Sequence, residues 1–317
     1  MLLVVSTLLT LVVLPLLMLV WLMQRSTGLI GWSLKAIAVG SYVMATYYFG
    51  AWQMLSYGAR SLLLGLLAAA ALVGAWRMRG QPLWNPPSGW SLLWSVFGGL
   101  VLLISTWMLV GVYQAHRVPA PPVDLHAPLR GGGPFHIVSG GSHSLMNPHL
   151  KVTAPGLHAW RGQRWALDIV ELYPSGNRAR GLYPTDLERY AIFGEPVYAP
   201  CAGRVAATED GLPDLVPPAT DTTNKAGNYV MLRCGPEAYV LLAHLQQGSV
   251  AVAPGDTVAV GARLGAIGNS GNTSEPHLHL HVQRAAGNRT LLDADPRPLT
   301  INGRFLVRND LLEASTP

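Results

Sequence analysis

Four apolar runs, at roughly residues 1–23, 29–50, 59–76 and 91–114, follow one another through the first 115 residues and carry almost no charge. Each is near the ~20 residues that a membrane-spanning helix needs. Each is apolar all round, whereas a helix packed on a soluble core shows one apolar stripe. The reading is four transmembrane helices. The first run lacks a basic leader and an obvious small-residue cleavage site, so a retained helix is favoured over a signal peptide, which stays the alternative.

Charge is distributed to match. Residues 1–115 hold five cations (Arg25, Lys35, Arg60, Arg77 and Arg79) and no Asp or Glu. The other 17 Lys and Arg face all 17 Asp and Glu in the remainder, so the net charge of +5 belongs to the apolar part and gives no ground for nucleic acid as a partner. Arg25, Arg77 and Arg79 fall in connections on one side of the four helices, Lys35 can snorkel to that side, and Arg60 alone lies opposite. The positive-inside rule then puts both ends of the helical part outside the cytoplasm. The expected location is a bacterial cytoplasmic (inner) membrane, multi-pass, with a periplasmic or extracytoplasmic C-terminal domain and the lipid bilayer as a partner. No ionisable pair lies deep in the helices, so they are read as an anchor.

Residues 116–134 are rich in Pro and Gly and read as a linker between a membrane domain at 1–115 and a second domain at 135–317. That second domain shows short β-type runs between turn residues: 164–170, 197–207, 228–233, 239–245 and 277–283. It is expected to be all-β. The polar stretch 208–227 reads as a surface loop near the site or as disorder. Cys201 and Cys234 lie at ends of two expected strands. A disulfide follows if those strands pair in an oxidising compartment, and two buried thiols are the alternative.

The chemistry concentrates at residues 275–282, EPHLHLHV. His277, His279 and His281 alternate with Leu278, Leu280 and Val282, so one strand face carries three imidazoles. Neutral imidazole is the commonest protein metal ligand. Upstream stand Asp168 in QRWALDIV and His244 in YVLLAHL, and GNSGNTSEP leads into the histidine strand.

With these elements in this order, the chain resembles the lysostaphin-like (LytM-type) zinc metallopeptidases over about residues 136–290. The resemblance implies a duplicated-hybrid-motif-like antiparallel sheet, a Zn2+ cofactor and hydrolysis of peptide cross-links in peptidoglycan. Another extracytoplasmic peptide is the alternative substrate. It implies Asp168 and His279 as metal ligands and His244 and His277 as catalytic residues. Three protein ligands leave a zinc position open for water and substrate. One feature departs from the family pattern. Where a ligand histidine is expected four residues before Asp168, Arg164 stands, and a guanidinium has no lone pair for a metal. His149, in an Asn-x-His segment, is the preferred replacement and His158 the other candidate. Arg164 is then free for a substrate carboxylate or carbonyl. His281 is read as orienting a ligand from behind, or as a strand-end histidine. The expected function is a membrane-anchored zinc endopeptidase; the alternative is an inactive domain of the same fold that binds or regulates.

Overall fold

The structure is a computed structural model describing residues 2–119, 121–285 and 291–312. The chain forms two compact units, Met1–Tyr113 and Gln114–Pro317.

In the first unit, α1 (Leu2–Leu8) and α2 (Leu14–Met23) are joined by a π-helical turn at Leu9–Val13. Pro15, at the start of α2, cannot donate to the preceding turn, and the wider π turn accommodates its ring. Then follow α3 (Leu29–Phe49), α4 (Ala59–Arg77) and α5 (Trp90–Ala115). Among the described residues four helices, Leu3–Met23, Leu29–Phe49, Ala59–Arg77 and Trp90–Ala115, are long and apolar enough to cross a membrane. Leu11, Leu22, Val39, Val43, Trp52 and Leu63 pack between them. Gly74 sits where α4 meets α2: a Cβ there would lie 2.7 Å from the Leu22 carbonyl oxygen, so only glycine permits this approach.

The second unit is built on strands β1 (Val123–Leu125), β2 (Phe135–Ser139), β3 (Leu167–Glu171), β4 (Pro196–Tyr198), β5 (Gly203–Glu209), β6 (Asn228–Gly235), β7 (Ala238–Leu245), β8 (Thr257–Val258), β9 (Arg263–Ala266), β10 (Leu278–Gln283), β11 (Pro296–Arg297), β12 (Leu299–Ile301) and β13 (Leu311–Leu312). The main sheet runs β13-β2-β3-β10-β7-β6-β5-β8, with β11 on β10. Its pairings are antiparallel. Leu167, Ile169, Leu278, Leu280, Val282, Val240 and Leu242 point into one core from one sheet face. Burial of each such side chain is worth ~1.5–3 kcal/mol, and this fixes the register, because a one-residue slip would exchange the faces. The opposite face is therefore committed to Asp168, His279, His281 and Gln283.

One expectation changes. Within the segment read as linker, residues 123–129 belong to the β core. β1 pairs in parallel with β12, and Leu125, Ala127 and Leu129 are buried. The residues following Glu209 form the expected surface loop, and it is pinned. Asp214 accepts from the Asn269 and Gln247 amides at 2.6 and 3.1 Å, and the Asp221 amide donates to the Gly271 carbonyl at 2.9 Å. Cys201 and Cys234 are joined in a disulfide that closes a loop of 33 residues. Loop-closure entropy makes such a bridge worth about 3–4 kcal/mol.

Candidate active site and metal centre

Antiparallel pairing of β3 with β10 sets Asp168 directly opposite His279, with both side chains on the face away from the main core. The Asp168 Oδ1 lies 3.0 Å from His279 Nδ1 and 3.5 Å from His277 Nε2. The other carboxylate oxygen is met by His149, whose Nε2 is 2.8 Å from Oδ2. His149 arrives from a short 3-10 helix, Pro148–Thr153, capped by Asn147. The buried Asn147 side chain accepts from the His149 amide and donates to the carbonyls of Gly141 and Ala166, tying that helix to the start of β3.

His244 reaches the same face by an irregularity. The pairing of β6 with β7 shifts between Asn228 and Tyr229, so His244 is the extra residue of a bulge, at φ +65°. Regular alternation would turn its imidazole with Leu242 into the core. The left-handed residue turns it to the histidine side, a strained conformation of the kind found at functional sites. Its ring centroid is 4.8 Å from that of His277 and 5.6 Å from that of His279.

The hydrogen bonds settle where the ring protons are. His244 Nδ1 faces the Ser270 carbonyl at 2.8 Å, and His277 Nδ1 faces the Glu275 carbonyl at 2.9 Å. A carbonyl only accepts, so both Nδ1 atoms carry hydrogen, and each ring in its neutral form offers its lone pair at Nε2. A second chain runs behind His279. The Gln283 amide nitrogen donates to the carbonyls of Ala285 and Leu291, so its oxygen must accept from His281 Nε2 at 3.3 Å. His281 Nδ1 then accepts from His279 Nε2 at 3.1 Å. His279 Nδ1 is left as a lone pair 3.0 Å from a carboxylate oxygen. Two acceptors at that distance repel unless a cation lies between them, so this donor set fits a metal ion.

Charges follow the geometry. Burial favours the neutral form of Asp168, but His149 and His277 override it and hold the carboxyl well below its usual range. Burial pulls His277 down, yet the Asp168 charge outweighs it and raises the imidazole. Burial, with the neighbouring His277 and His279, pushes His244 well below its ordinary value. Burial lowers His279, and lowers His281 further.

Among the described residues two triads have their ligand atoms all within 4.8 Å of one another: His149, Asp168 and His279, and His244, His277 and His279. His158 is exposed and belongs to neither. Arg164 is also outside them; its guanidinium stacks 4.7 Å over the Trp165 ring, and its Nε is buried without a hydrogen bond.

One buried ion pair carries no local sequence signal. Arg178, 1% exposed, donates from Nε to both Glu275 oxygens at 2.9 Å and from Nη2 to Oε2 at 2.5 Å. The two residues are 97 positions apart, which no local pattern reveals. Glu275 is also the residue whose carbonyl fixes His277. Arg178 therefore clamps the turn that orients this imidazole. The adjoining loop is equally constrained: Gly271 has φ +87°, and a Cβ there would run into the Gly227 backbone.

Residues 186–292 match the model of Peptidase family M23. The matched stretch contains His244, His277 and His279, while Asp168 and His149 lie upstream of it. The chain is 33% identical over 126 residues to an uncharacterized metalloprotease of Haemophilus influenzae, covering 37% of this chain and 26% of that protein. It thus spans about a quarter of the length of that curated relative. Among solved structures, it is similar to lysostaphin of Staphylococcus simulans (19% identity, TM-score 0.27, 45% of this chain and 42% of that one). It is also similar to a zinc containing peptidase from Vibrio cholerae (20% identity, TM-score 0.25, 41% and 50%).

Proposed function

We propose that this chain is a zinc endopeptidase, anchored in the bacterial cytoplasmic membrane, that cuts peptide cross-links of peptidoglycan outside the cytoplasm. The observation that carries this reading is His149 Nε2 at 2.8 Å from Asp168, beside His279. It supplies the third donor that Arg164 cannot. His149, Asp168 and His279 would hold the metal, which when bound polarises the scissile carbonyl and acidifies water.

The protein groups do the rest. With Nδ1 held by backbone carbonyls, His244 and His277 lie beside the ligand cluster, where the neutral form of either would accept the proton of an attacking water at Nε2. Once protonated, the same nitrogen donates to the oxyanion or the leaving amine. Extracytoplasmic placement of the domain rests on Arg25, Arg77 and Arg79 against Arg60. An inactive binding domain would have no use for both the donor set and the inward-facing imidazoles.

The test is incubation of the purified full chain with cross-linked muropeptides. The expected result is new amine termini, stopped by a zinc chelator and restored by added zinc. A chain that holds stoichiometric zinc and leaves every cross-link intact would sink the substrate assignment.

The Arg178–Glu275 clamp gives a separate expectation. Arg178→Met leaves Glu275 without its partner and frees the turn before His277. Misplacing a reacting group by about 1 Å costs on the order of 100-fold. The turnover number should fall by roughly that factor with zinc retained and the Michaelis constant little changed. Pairing it with Glu275→Leu, which removes the stranded charge, should recover part of the loss. Unchanged turnover in Arg178→Met would remove the positioning role.

A further inference from the structure

The helical unit contains a cavity of about 410 Å³ at one end of the four helices. The 24–27 connection and the first turns of α5 line it, so in a bilayer it sits near headgroup depth. Trp21, Trp84 and Trp94 are in its wall, as expected of an interfacial belt. Lys35 and Arg25 also face it, and Leu34 and Leu102 supply apolar surface.

The charge here is uncompensated within the unit. Lys35 is 7% exposed, and its partners are the neutral Gln24 carbonyl at 2.6 Å and the Trp21 ring at 5.6 Å. Arg25 makes no hydrogen bond or ion pair among the described residues. No carboxylate exists anywhere in residues 1–115 to pair with either cation. A buried ammonium is costly without a counter-ion, and the anion must come from outside the helical unit.

We propose that this cavity binds an anionic phospholipid, with the phosphate against Lys35 and Arg25 and an acyl chain along Leu34 and Leu102. The lipid class follows from the two ends of the site: cations at headgroup depth and apolar wall beside them. The inference rests on the bilayer reading of the helices and is independent of hydrolysis.

The test uses the full chain in nanodiscs of equal parts phosphatidylglycerol and phosphatidylcholine, released into a native mass spectrometer. Two cations contributing about fivefold each give an expected preference for retained phosphatidylglycerol of roughly 25-fold. Lys35→Met and Arg25→Gln should each reduce it. Gly99→Phe is the decisive variant. Gly99 lines the cavity and a Cβ there meets no atom within 4 Å, so the ring can fill the space while all five cations remain. It should lose the preference, whereas Arg79→Gln, an exposed cation outside the cavity, should keep it. A preference that survives Gly99→Phe, or that falls as far in Arg79→Gln as in Lys35→Met, would overturn the site in favour of general surface attraction. So would a wild-type chain released without phosphatidylglycerol.

Discussion

Replacing His279 or Asp168 with alanine is expected to remove the metal and the hydrolytic activity together. These two groups face each other across β3 and β10 with acceptor atoms 3.0 Å apart. Either substitution would delete one of the three proposed donors and leave the site too poor to retain zinc. His149→Ala should behave the same way, because its Nε2 meets the other oxygen of the same carboxylate. His281→Ala should be milder. His281 accepts from His279 Nε2 and so keeps the Nδ1 lone pair toward Asp168, where the proposed metal would sit. Loss of such an outer partner costs about 10–100-fold in metal affinity, so loss of a direct ligand must cost more. The two classes separate in a zinc titration read by competition with a chromophoric chelator. Full zinc occupancy in His279→Ala or Asp168→Ala would contradict the donor set.

His244→Ala and His277→Ala are expected to do the opposite: to keep zinc and lose turnover. Neither imidazole is needed for the His149–Asp168–His279 triad. Both are held by backbone carbonyls at Nδ1 and offer Nε2 inward. General acid–base groups contribute about 100- to 10,000-fold, so each variant should fall by that order in turnover number. The effects should not multiply, since in the proposed mechanism the two rings, 4.8 Å apart, would serve the same proton and the same oxyanion. Wild-type rates in both single variants would remove their catalytic role.

Much of this was readable from the chain alone. Four apolar runs without acidic residues mark the four long helices, because a bilayer demands length and uniform apolarity and these are local properties. Alternation at 277–283 marks the two faces of β10, since side-chain period in a strand is also local. His149 was approachable through its Asn-x-His setting, and the structure shows the reason: Asn147 caps its 3-10 turn and ties it to β3. What stayed hidden depends on contacts distant in sequence. The bulge that rotates His244 exists only in the pairing of β6 with β7. The burial of 123–129 depends on β12, some 175 residues later. Arg178 finds Glu275 only once the turn before β10 is in place. Composition misreads the linker for the same reason, because Pro and Gly report local flexibility and say nothing of a distant partner strand.

The central claim is that His149 completes a zinc site that Arg164 leaves one ligand short. The most direct measurement is the zinc content of the purified full chain by elemental mass spectrometry, beside His149→Ala and His158→Ala. About one zinc per chain in the wild type and in His158→Ala, and none in His149→Ala, is the predicted result. A wild-type chain without zinc after metal is supplied, or zinc lost from His158→Ala and kept by His149→Ala, would contradict it.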